Sequence, residues 1–315
     1  MGNTPGKQRP RTQNAKGKAV KKANNSAGAW LPVWEPSRVT QEISEGVIFQ
    51  NLNEAAKKEL AEISGLKDKV VGALKNPKPL DIVRPVFNAV LAAQYYEVLE
   101  ALRPPRRLSV YEPCVGGSNP VILATEAYSG GTASYFAINL NRRLREELQE
   151  KISHLRMNIR IIQDNAQRAL SHLQPASFNV ACFHHAVNNI LQTAVCEPRG
   201  MDTTAVDWWP NERQMIEWLA EDVKAGRLEQ RGKPELMQII ADAVRLVRPG
   251  GFLVFDHFNW CKLIGVDWFP WDLFYNLIPM TRRWVAESGL PVEELTLAGA
   301  DPQWWLFLRV KKSSS

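Results

Sequence analysis

From residue 106 onward, apolar runs typical of strands alternate with amphipathic runs typical of helices. Short apolar runs such as 108–112 and 178–184 predict buried strands. Repeated strand–helix units favour a parallel sheet with helices on both faces. The last two apolar runs, 292–299 and 304–310, are separated by only a short loop and predict an antiparallel pair at one edge. We therefore expect an α/β fold with a doubly wound, mostly parallel sheet of seven strands.

The chain before this region divides into two parts. Residues 1–29 are rich in Gly, Asn, Gln and Lys and poor in apolar residues, which predicts a disordered basic tail. Residues 30–105 carry apolar positions at helical spacing and predict an N-terminal helical extension. Its strongest helix covers 83–102 and ends at Pro104 and Pro105.

One segment interrupts the alternation within the main domain, 106–315. Residues 192–232 fall between the fourth strand and the next helix of the core, and they contain an amphipathic stretch at 211–225. An insertion after the carboxyl end of a strand lies at the edge where open α/β sheets bind ligands. The insertion is therefore expected on the substrate side of the sheet.

The basic character of the chain belongs mainly to its tail. Of the 39 Lys and Arg residues, seven lie in residues 1–28 with no acid, which leaves 32 against 33 acidic residues in the rest. Nucleic-acid binding normally requires a basic stripe near the site, so the nearly neutral body argues against it. Contact with nucleic acid or anionic lipid is expected only through the tail, and a solvated leader is the favoured alternative.

The composition also indicates a compartment. The four cysteines are widely spaced without a CxxC pair, which argues against a zinc ribbon or disulfide framework and favours a reducing environment. The first 28 residues lack the apolar core of a signal peptide, and no apolar run approaches the roughly 20 residues needed to cross a bilayer. These features predict a cytoplasmic protein.

The stretch "VYEPCVGGSNP" has the layout of a nucleotide-binding loop between a strand and a helix. Its small residues allow backbone to approach a ligand, and the helix that starts near Asn119 presents free N–H groups to an anion. Gly-x-Gly-x-x-Gly and the phosphate loop Gly-x-x-x-x-Gly-Lys-Ser/Thr are both absent, which disfavours hydride and phosphoryl transfer. The residues of interest in the loop are Glu112, Cys114, Gly116, Gly117 and Ser118.

Five segments in order resemble the class I S-adenosylmethionine-dependent methyltransferases over about residues 106–310. They match that family's strand-one loop, strand-two end, strand-three end, fourth strand and following helix–turn–strand. The segments are "VYEPCVGGS", "FAINLNRR", "IIQDNA", "FNVACFHHAVNNIL" and "LVRPGGFLVFDHF".

The resemblance implies S-adenosylmethionine as the cofactor. Asn139 stands where the family has an acid that contacts the ribose, and an amide accepts one bond and donates another instead of accepting both. Asn141 or Arg142 are alternatives for that contact. At the adenine, Asn165 is favoured by register, with Asp164 next. The expected cofactor-binding set is Glu112, Cys114, Gly116, Gly117, Ser118, Asn139, Asp164, Asn165 and His184.

The resemblance also implies methyl transfer to a small-molecule acceptor, since neither Asn/Asp-Pro-Pro-Tyr nor a Pro-Cys nucleophile follows strand four. A base is needed only if the acceptor must lose a proton, and His184, His185 and His257 are the catalytic candidates. Strand alternation predicts that only one of the adjacent pair faces the pocket. No metal is assigned, although Asp256 beside the histidines keeps a metal site open.

Tryptophans concentrate on the predicted substrate side, where aromatic walls suit an aromatic or amine acceptor. Packing of the insertion onto the body is an equal explanation. The candidates are Trp208, Trp209, Trp218 and Trp260. Two other functions stay open: an RNA or protein methyltransferase recruited through the tail, and a non-catalytic scaffold, which Asn139 and the altered loop suggest.

Overall fold

The computed structural model describes residues 45–62, 64–65, 84–257, 269–298 and 300–312. The predicted basic tail and Trp260 lie outside the described residues. None of the helices in the described ranges is long and apolar enough to span a membrane.

The core is a seven-stranded sheet in the order β3-β2-β1-β4-β5-β7-β6. All pairings from β3 to β5 are parallel, and β7 runs antiparallel to both β5 and β6. The predicted doubly wound α/β fold with an antiparallel edge pair is therefore confirmed. The strands are β1 (Ser109–Pro113), β2 (Ser134–Ile138), β3 (Asn158–Ile162), β4 (Phe178–His184), β5 (Val247–Asp256), β6 (Val292–Leu295) and β7 (Trp305–Val310).

Helices cover both faces of the sheet. One face packs against α3, α4 and α5, and the other packs against α7, α9 and α10. Short 3-10 turns precede α6 and follow α7. The helices are α1 (Val47–Gln50), α2 (Glu54–Glu62), α3 (Arg84–Leu102), α4 (Pro120–Ser129), α5 (Arg142–Ile152), α6 (Ala169–His172), α7 (Ala186–Cys196), α8 (Trp208–Lys224), α9 (Leu228–Leu246) and α10 (Trp271–Glu287).

Local sequence explains how these elements form. Every residue of β4 is buried, as expected for a strand covered on both faces. In α5, the buried residues Leu144, Leu148 and Ile152 recur every four residues and form one apolar stripe. Asn141 starts this helix, because its side-chain oxygen accepts a hydrogen bond from the Leu144 N–H at 3.1 Å.

The segment "RPGG" is predicted to be a turn between a helix and a strand, and in the structure it lies within β5. The pairing with β4 jumps from Phe178–Val247 to Val180–Phe252, so several residues of β5 bulge out of the ladder. A Cβ atom on Gly251 would lie 2.6 Å from the Asn179 carbonyl oxygen. The glycine is required because another backbone passes so close.

The helical extension contributes directly to the main core. Helix α3 packs against α4, and its residues Tyr95 and Leu99 lie in the same buried cluster as Val110 of β1. The shorter helices α1 and α2 pack against α3 and α4 through Ile48, Leu52 and Leu60.

Candidate functional site

A depression opens at the carboxyl ends of β1, β2 and β3, and its space together with the adjoining solvent measures about 510 Å³. Its walls are mostly amide and apolar side chains, with Glu235 as the single carboxylate. The lining residues are Cys114, Gly116, Asn139, Leu140, Asn141, Leu144, Asn165, Ala166, Asn189, Ile190, Thr193, Trp208, Glu235 and Ile239.

The loop after β1 forms one wall through Cys114 and Gly116. Both have positive φ angles, 55° and 64°, and for Cys114 this left-handed conformation is strained. Gly117 instead packs against α5: a Cβ atom there would lie 3.0 Å from a Glu147 carboxylate oxygen. Ser118 is half-buried, and it does not line the depression.

Asn139 closes the loop with its side-chain amide. Its Nδ2 donates to the Gly116 carbonyl oxygen at 2.7 Å, and its backbone N–H donates to Ile162 at 2.9 Å. A carboxylate cannot donate such a bond. The bond to Gly116 therefore explains why an asparagine stands where the family has an acid. Its Oδ1 accepts no hydrogen bond from the described residues and is available to a ligand.

Two other asparagines of the depression have their oxygens engaged. Asn141 caps α5 and donates to the Thr203 and Val206 carbonyl oxygens at 3.1 and 2.8 Å. The Asn165 oxygen accepts from the Gln167 N–H at 2.9 Å, which leaves its amide hydrogens for a ligand. Asn165 therefore faces the depression as a hydrogen-bond donor, whereas the Asn141 side chain is bonded to backbone groups.

Asp164 and Glu112 lie outside the depression. Asp164 contacts His172 Nε2 at 2.6 Å, and this bond lowers the pKa of the carboxyl group. Glu112 is buried below the loop and accepts a hydrogen bond from the Tyr135 hydroxyl. Burial raises its pKa well above the ordinary value, so the neutral acid is favoured there.

Glu235, on α9, is the most informative residue of the depression about ligand binding. Nothing in the sequence singles it out. It is half-buried and makes no hydrogen bond or ion pair with the described residues. Burial, together with the negative charge of Glu197, raises its pKa to about 7. An unpaired carboxyl group with a raised pKa inside a cleft marks a candidate binding residue.

A second polar group, the histidine cluster, lies where β4 and β5 end and consists of His184, His185, Asp256 and His257. His184 and Asp256 are register partners, and the His184 Nδ1 lies 2.9 and 3.1 Å from the two Asp256 oxygens. The Tyr95 hydroxyl from α3 donates to the same carboxylate. Burial raises the pKa of Asp256, but His184 and His185 outweigh this and hold it at about 2.

His185 joins the cluster through an unusual backbone conformation. Its φ angle is 51°, in the left-handed region, and this angle ends the alternation of the strand. Its Nε2 lies 4.0 Å from Asp256 Oδ2, and its ring centre lies 4.7 Å from that of His184 and 5.0 Å from that of His257. Both neighbours therefore lie near Asp256, and neither lines the depression.

His257 is fully buried, and neither ring nitrogen has a hydrogen-bond partner among the described residues. Burial is the main cause that lowers the pKa of His257 well below the ordinary value, and the charge of His185 lowers it further. None of the three histidines lines the depression. They adjoin it through α7, which begins directly after His185 and contributes Asn189 and Thr193 to the wall.

Comparison with known proteins shows similarity of the backbone fold alone. No family model and no curated protein sequence matches. Among solved structures, a putative rRNA methylase from Clostridium thermocellum is 10% identical over 70% of this chain and 95% of its own, with a TM-score of 0.41. The CurJ carbon methyltransferase is 14% identical over 89% and 72%, with a TM-score of 0.42.

A putative S-adenosyl-L-methionine-dependent methyltransferase from Methanococcus maripaludis is 10% identical, over 71% of this chain and 93% of its own, with a TM-score of 0.41. The strand arrangement decides the fold. The seven strands follow the order 3-2-1-4-5-7-6, and β7 runs antiparallel to its two neighbours, β5 and β6. The chain has the class I methyltransferase fold.

In this methyltransferase fold, the tryptophans predicted to bind substrate have different positions. Trp208 is buried and lines the depression. Trp209 is 42% exposed, and Trp218 packs against the core with Arg199 5.5 Å from its ring centre. Trp260 lies outside the described residues. Trp208 is thus the one member of the predicted set that the described part of the chain places in the depression.

The depression also contains residues that sequence reasoning did not name. Asn189 and Thr193 come from α7, and Glu235 and Ile239 come from α9. Both helices read as ordinary amphipathic segments. The one available signal was the repeated asparagine in "HHAVNN", which follows the fourth strand.

Proposed function

We propose that this chain is an S-adenosylmethionine-dependent methyltransferase that acts on a small-molecule acceptor in the cytoplasm. The observation that carries the proposal is the depression itself. It lies at the carboxyl ends of the first three strands, beside the Cys114–Gly117 loop, and combines amide groups with a single unpaired carboxylate. Open α/β sheets bind their ligands in this place.

The side chains of the depression fit the parts of this cofactor. The free Oδ1 of Asn139 would accept a hydrogen bond from one ribose hydroxyl, and the amide hydrogens of Asn165 would donate to an adenine nitrogen. Apolar Leu140, Ala166 and Ile190 would cover the flat faces of the base. The proposed cofactor contacts of Cys114 and Gly116 are backbone contacts, which small residues permit.

Glu235 fits the cationic part of the cofactor. It is the single carboxylate of the depression and has no cation of its own among the described residues. A sulfonium or ammonium group beside it would favour its ionised form and relieve the cost of its burial. Glu112 and Asp164 would support the loop and the strand-three end from behind, since both are engaged with other side chains.

The bound cofactor would supply a methyl group activated by a sulfonium. With the cofactor held by Asn139, Asn165 and Glu235, the acceptor nucleophile would take the methyl carbon, and sulfur would keep the electron pair of the broken carbon–sulfur bond. The protein must hold the acceptor about 3 Å from the methyl carbon and exclude water. We place the acceptor on the side of the histidine cluster, with Trp208, which belongs to the insertion, in the wall of the depression.

Binding and turnover test this proposal separately. Calorimetry with S-adenosylmethionine and S-adenosylhomocysteine measures cofactor affinity, and release of S-adenosylhomocysteine from a panel of amines, phenols and thiols measures transfer. Gly116→Val places a branched side chain at a positive φ angle in the wall of the depression and should abolish binding. Glu150→Gln, an exposed change on α5, is the matched control.

Two results would contradict the proposal. The first is that millimolar S-adenosylmethionine does not bind the wild-type chain. The second is that Gly116→Val binds it as tightly as the wild type does. Binding without turnover on any acceptor would instead favour the non-catalytic scaffold.

A further inference from the structure

The histidine cluster has the composition of a metal site. Two imidazoles and a carboxylate come from residues that adjoin or end neighbouring strands: His184, His185 and Asp256. One ligand atom from each lies within 4.8 Å of the others. His184 is 4% exposed and Asp256 is 1% exposed, so this is an enclosed group rather than a collection of surface side chains.

The distances suit coordination. Bonds of 2.0–2.2 Å at angles between octahedral and tetrahedral separate neighbouring ligand atoms by roughly 2.8–3.6 Å. The His184 Nδ1 lies 2.9 and 3.1 Å from the Asp256 oxygens, within that range. The His185 Nε2 lies 4.0 Å from Asp256 Oδ2, and this side chain is 22% exposed, so a small rotation brings it closer.

Two further observations point to a ligand. His185 holds a left-handed φ of 51°, and this strained conformation turns its ring toward Asp256. His257, whose ring centre lies 5.0 Å from that of His185, is fully buried, and neither of its nitrogens has a partner within the described part of the chain. An unsatisfied buried polar group in a native protein is often explained by an ion or ordered water.

We propose that His184, His185 and Asp256 bind one divalent first-row transition metal ion. Two imidazoles and one carboxylate suit zinc or iron(II), whereas magnesium and calcium prefer oxygen ligands alone. The Tyr95 hydroxyl, which donates to Asp256, orients the carboxylate from behind and is a positioning residue. Three protein ligands leave coordination positions open for another molecule.

What the ion does rests on the proposed function. An acceptor hydroxyl or thiol bound at an open position would have a lowered pKa and lose its proton at neutral pH. The histidines would then be ligands rather than bases. Metal binding itself does not require the cofactor, so it is tested without it.

The test uses the full chain, stripped with a chelator and then offered Co²⁺, Zn²⁺, Fe²⁺ under anaerobic conditions, or Mg²⁺. Metal content after desalting is measured by mass spectrometry, and Co²⁺ coordination is followed by its visible absorption. The expected result is one Co²⁺, Zn²⁺ or Fe²⁺ retained per chain, a visible Co²⁺ spectrum, and no retained Mg²⁺.

Variants assign the site. His185→Ala should lose retained metal, and Asp256→Asn should do the same if it folds, as judged by circular dichroism. Tyr95→Phe should weaken binding by about 10- to 100-fold, as expected for a group that orients a ligand. His172→Ala is the matched control, because it removes another His–Asp pair, with Asp164 at 2.6 Å, and should leave binding unchanged.

The proposal is overturned by wild-type protein that retains no Co²⁺, Zn²⁺ or Fe²⁺, or by retained metal that survives His185→Ala. These outcomes are separate from failure of the proposed function. Cofactor binding is measured by calorimetry on the same stripped protein, and it depends on the depression rather than on the cluster.

Discussion

Glu235 links ligand binding to stability, and replacing it with glutamine should change both in opposite directions. The carboxyl group is half-buried without a cation, and burial together with Glu197 raises its pKa to about 7 from the ordinary 4.5. In the unfolded chain the group titrates near its ordinary value. The folded chain therefore holds the proton more tightly, and stability falls as the pH rises from 4.5 through 7.

The size of the effect follows from that difference. The change from 4.5 to about 7 corresponds to about 3.4 kcal/mol at pH 8 for a fully desolvated group. Because Glu235 is partly exposed, solvent screening reduces this to about 1–2 kcal/mol. Glu235→Gln removes the charge, so it should be more stable than the wild type by that amount at pH 8 and nearly equal to it at pH 4.5.

Urea denaturation of the ligand-free chain at pH 4.5, 6, 7 and 8 measures this difference. The control is Glu150→Gln, an exposed change expected to alter stability by less than about 0.5 kcal/mol at each pH. S-adenosylmethionine binding is measured on the same samples and should weaken about tenfold or more in Glu235→Gln, a loss of at least about 1.4 kcal/mol. A variant that is less stable at pH 8, or that binds the cofactor normally, would refute the assignment.

Three other changes test the loop, the sheet and the tail. Asn139→Asp replaces the donor to Gly116 with a carboxylate oxygen 2.7 Å from a carbonyl oxygen, which should lower the free energy of unfolding by about 1–3 kcal/mol. Calorimetry should show weaker cofactor binding, and tighter binding would contradict the structural role of the amide. Gly251→Ala meets the Asn179 carbonyl oxygen at 2.6 Å and should unfold at lower urea than Gly232→Ala, whose nearest neighbours are flexible leucine side chains; equal midpoints would argue against the close backbone passage. Deleting residues 1–28 should leave cofactor binding and small-molecule turnover nearly unchanged, and salt-sensitive RNA binding that disappears with the deletion would favour the RNA-directed alternative.

The fold was readable from the sequence because its signals are local and repeated. The run 178–184 predicts β4 with its observed bounds, since a strand buried on both faces is mostly apolar. The segment "RPGG" misleads about the start of β5 because a bulge and a turn require the same residues. Whether Gly251 ends a strand or lies inside one depends on Asn179 of the neighbouring strand, which local sequence does not contain.

Residues of the candidate site could be predicted from the sequence only where they lie in loops directly after a strand. Cys114, Gly116, Asn139 and Asn165 lie in the loops after β1, β2 and β3 and were predicted from those positions. Glu235 was not, because a carboxylate on a helix is ordinary until tertiary packing removes its partners. The position of His185 was not readable, because alternation assumes extended backbone and His185 has a positive φ angle.

The packing of α3 has a consequence for shortened forms of this protein. A fragment that starts at Arg106 would keep every strand and the whole depression, yet it would lose Tyr95 and Leu99 from the core. Asp256 would then lose its hydroxyl donor, and the apolar surface of α4 would face solvent. The smallest fragment expected to fold with an intact histidine cluster therefore begins no later than residue 84, although the sheet begins at Ser109.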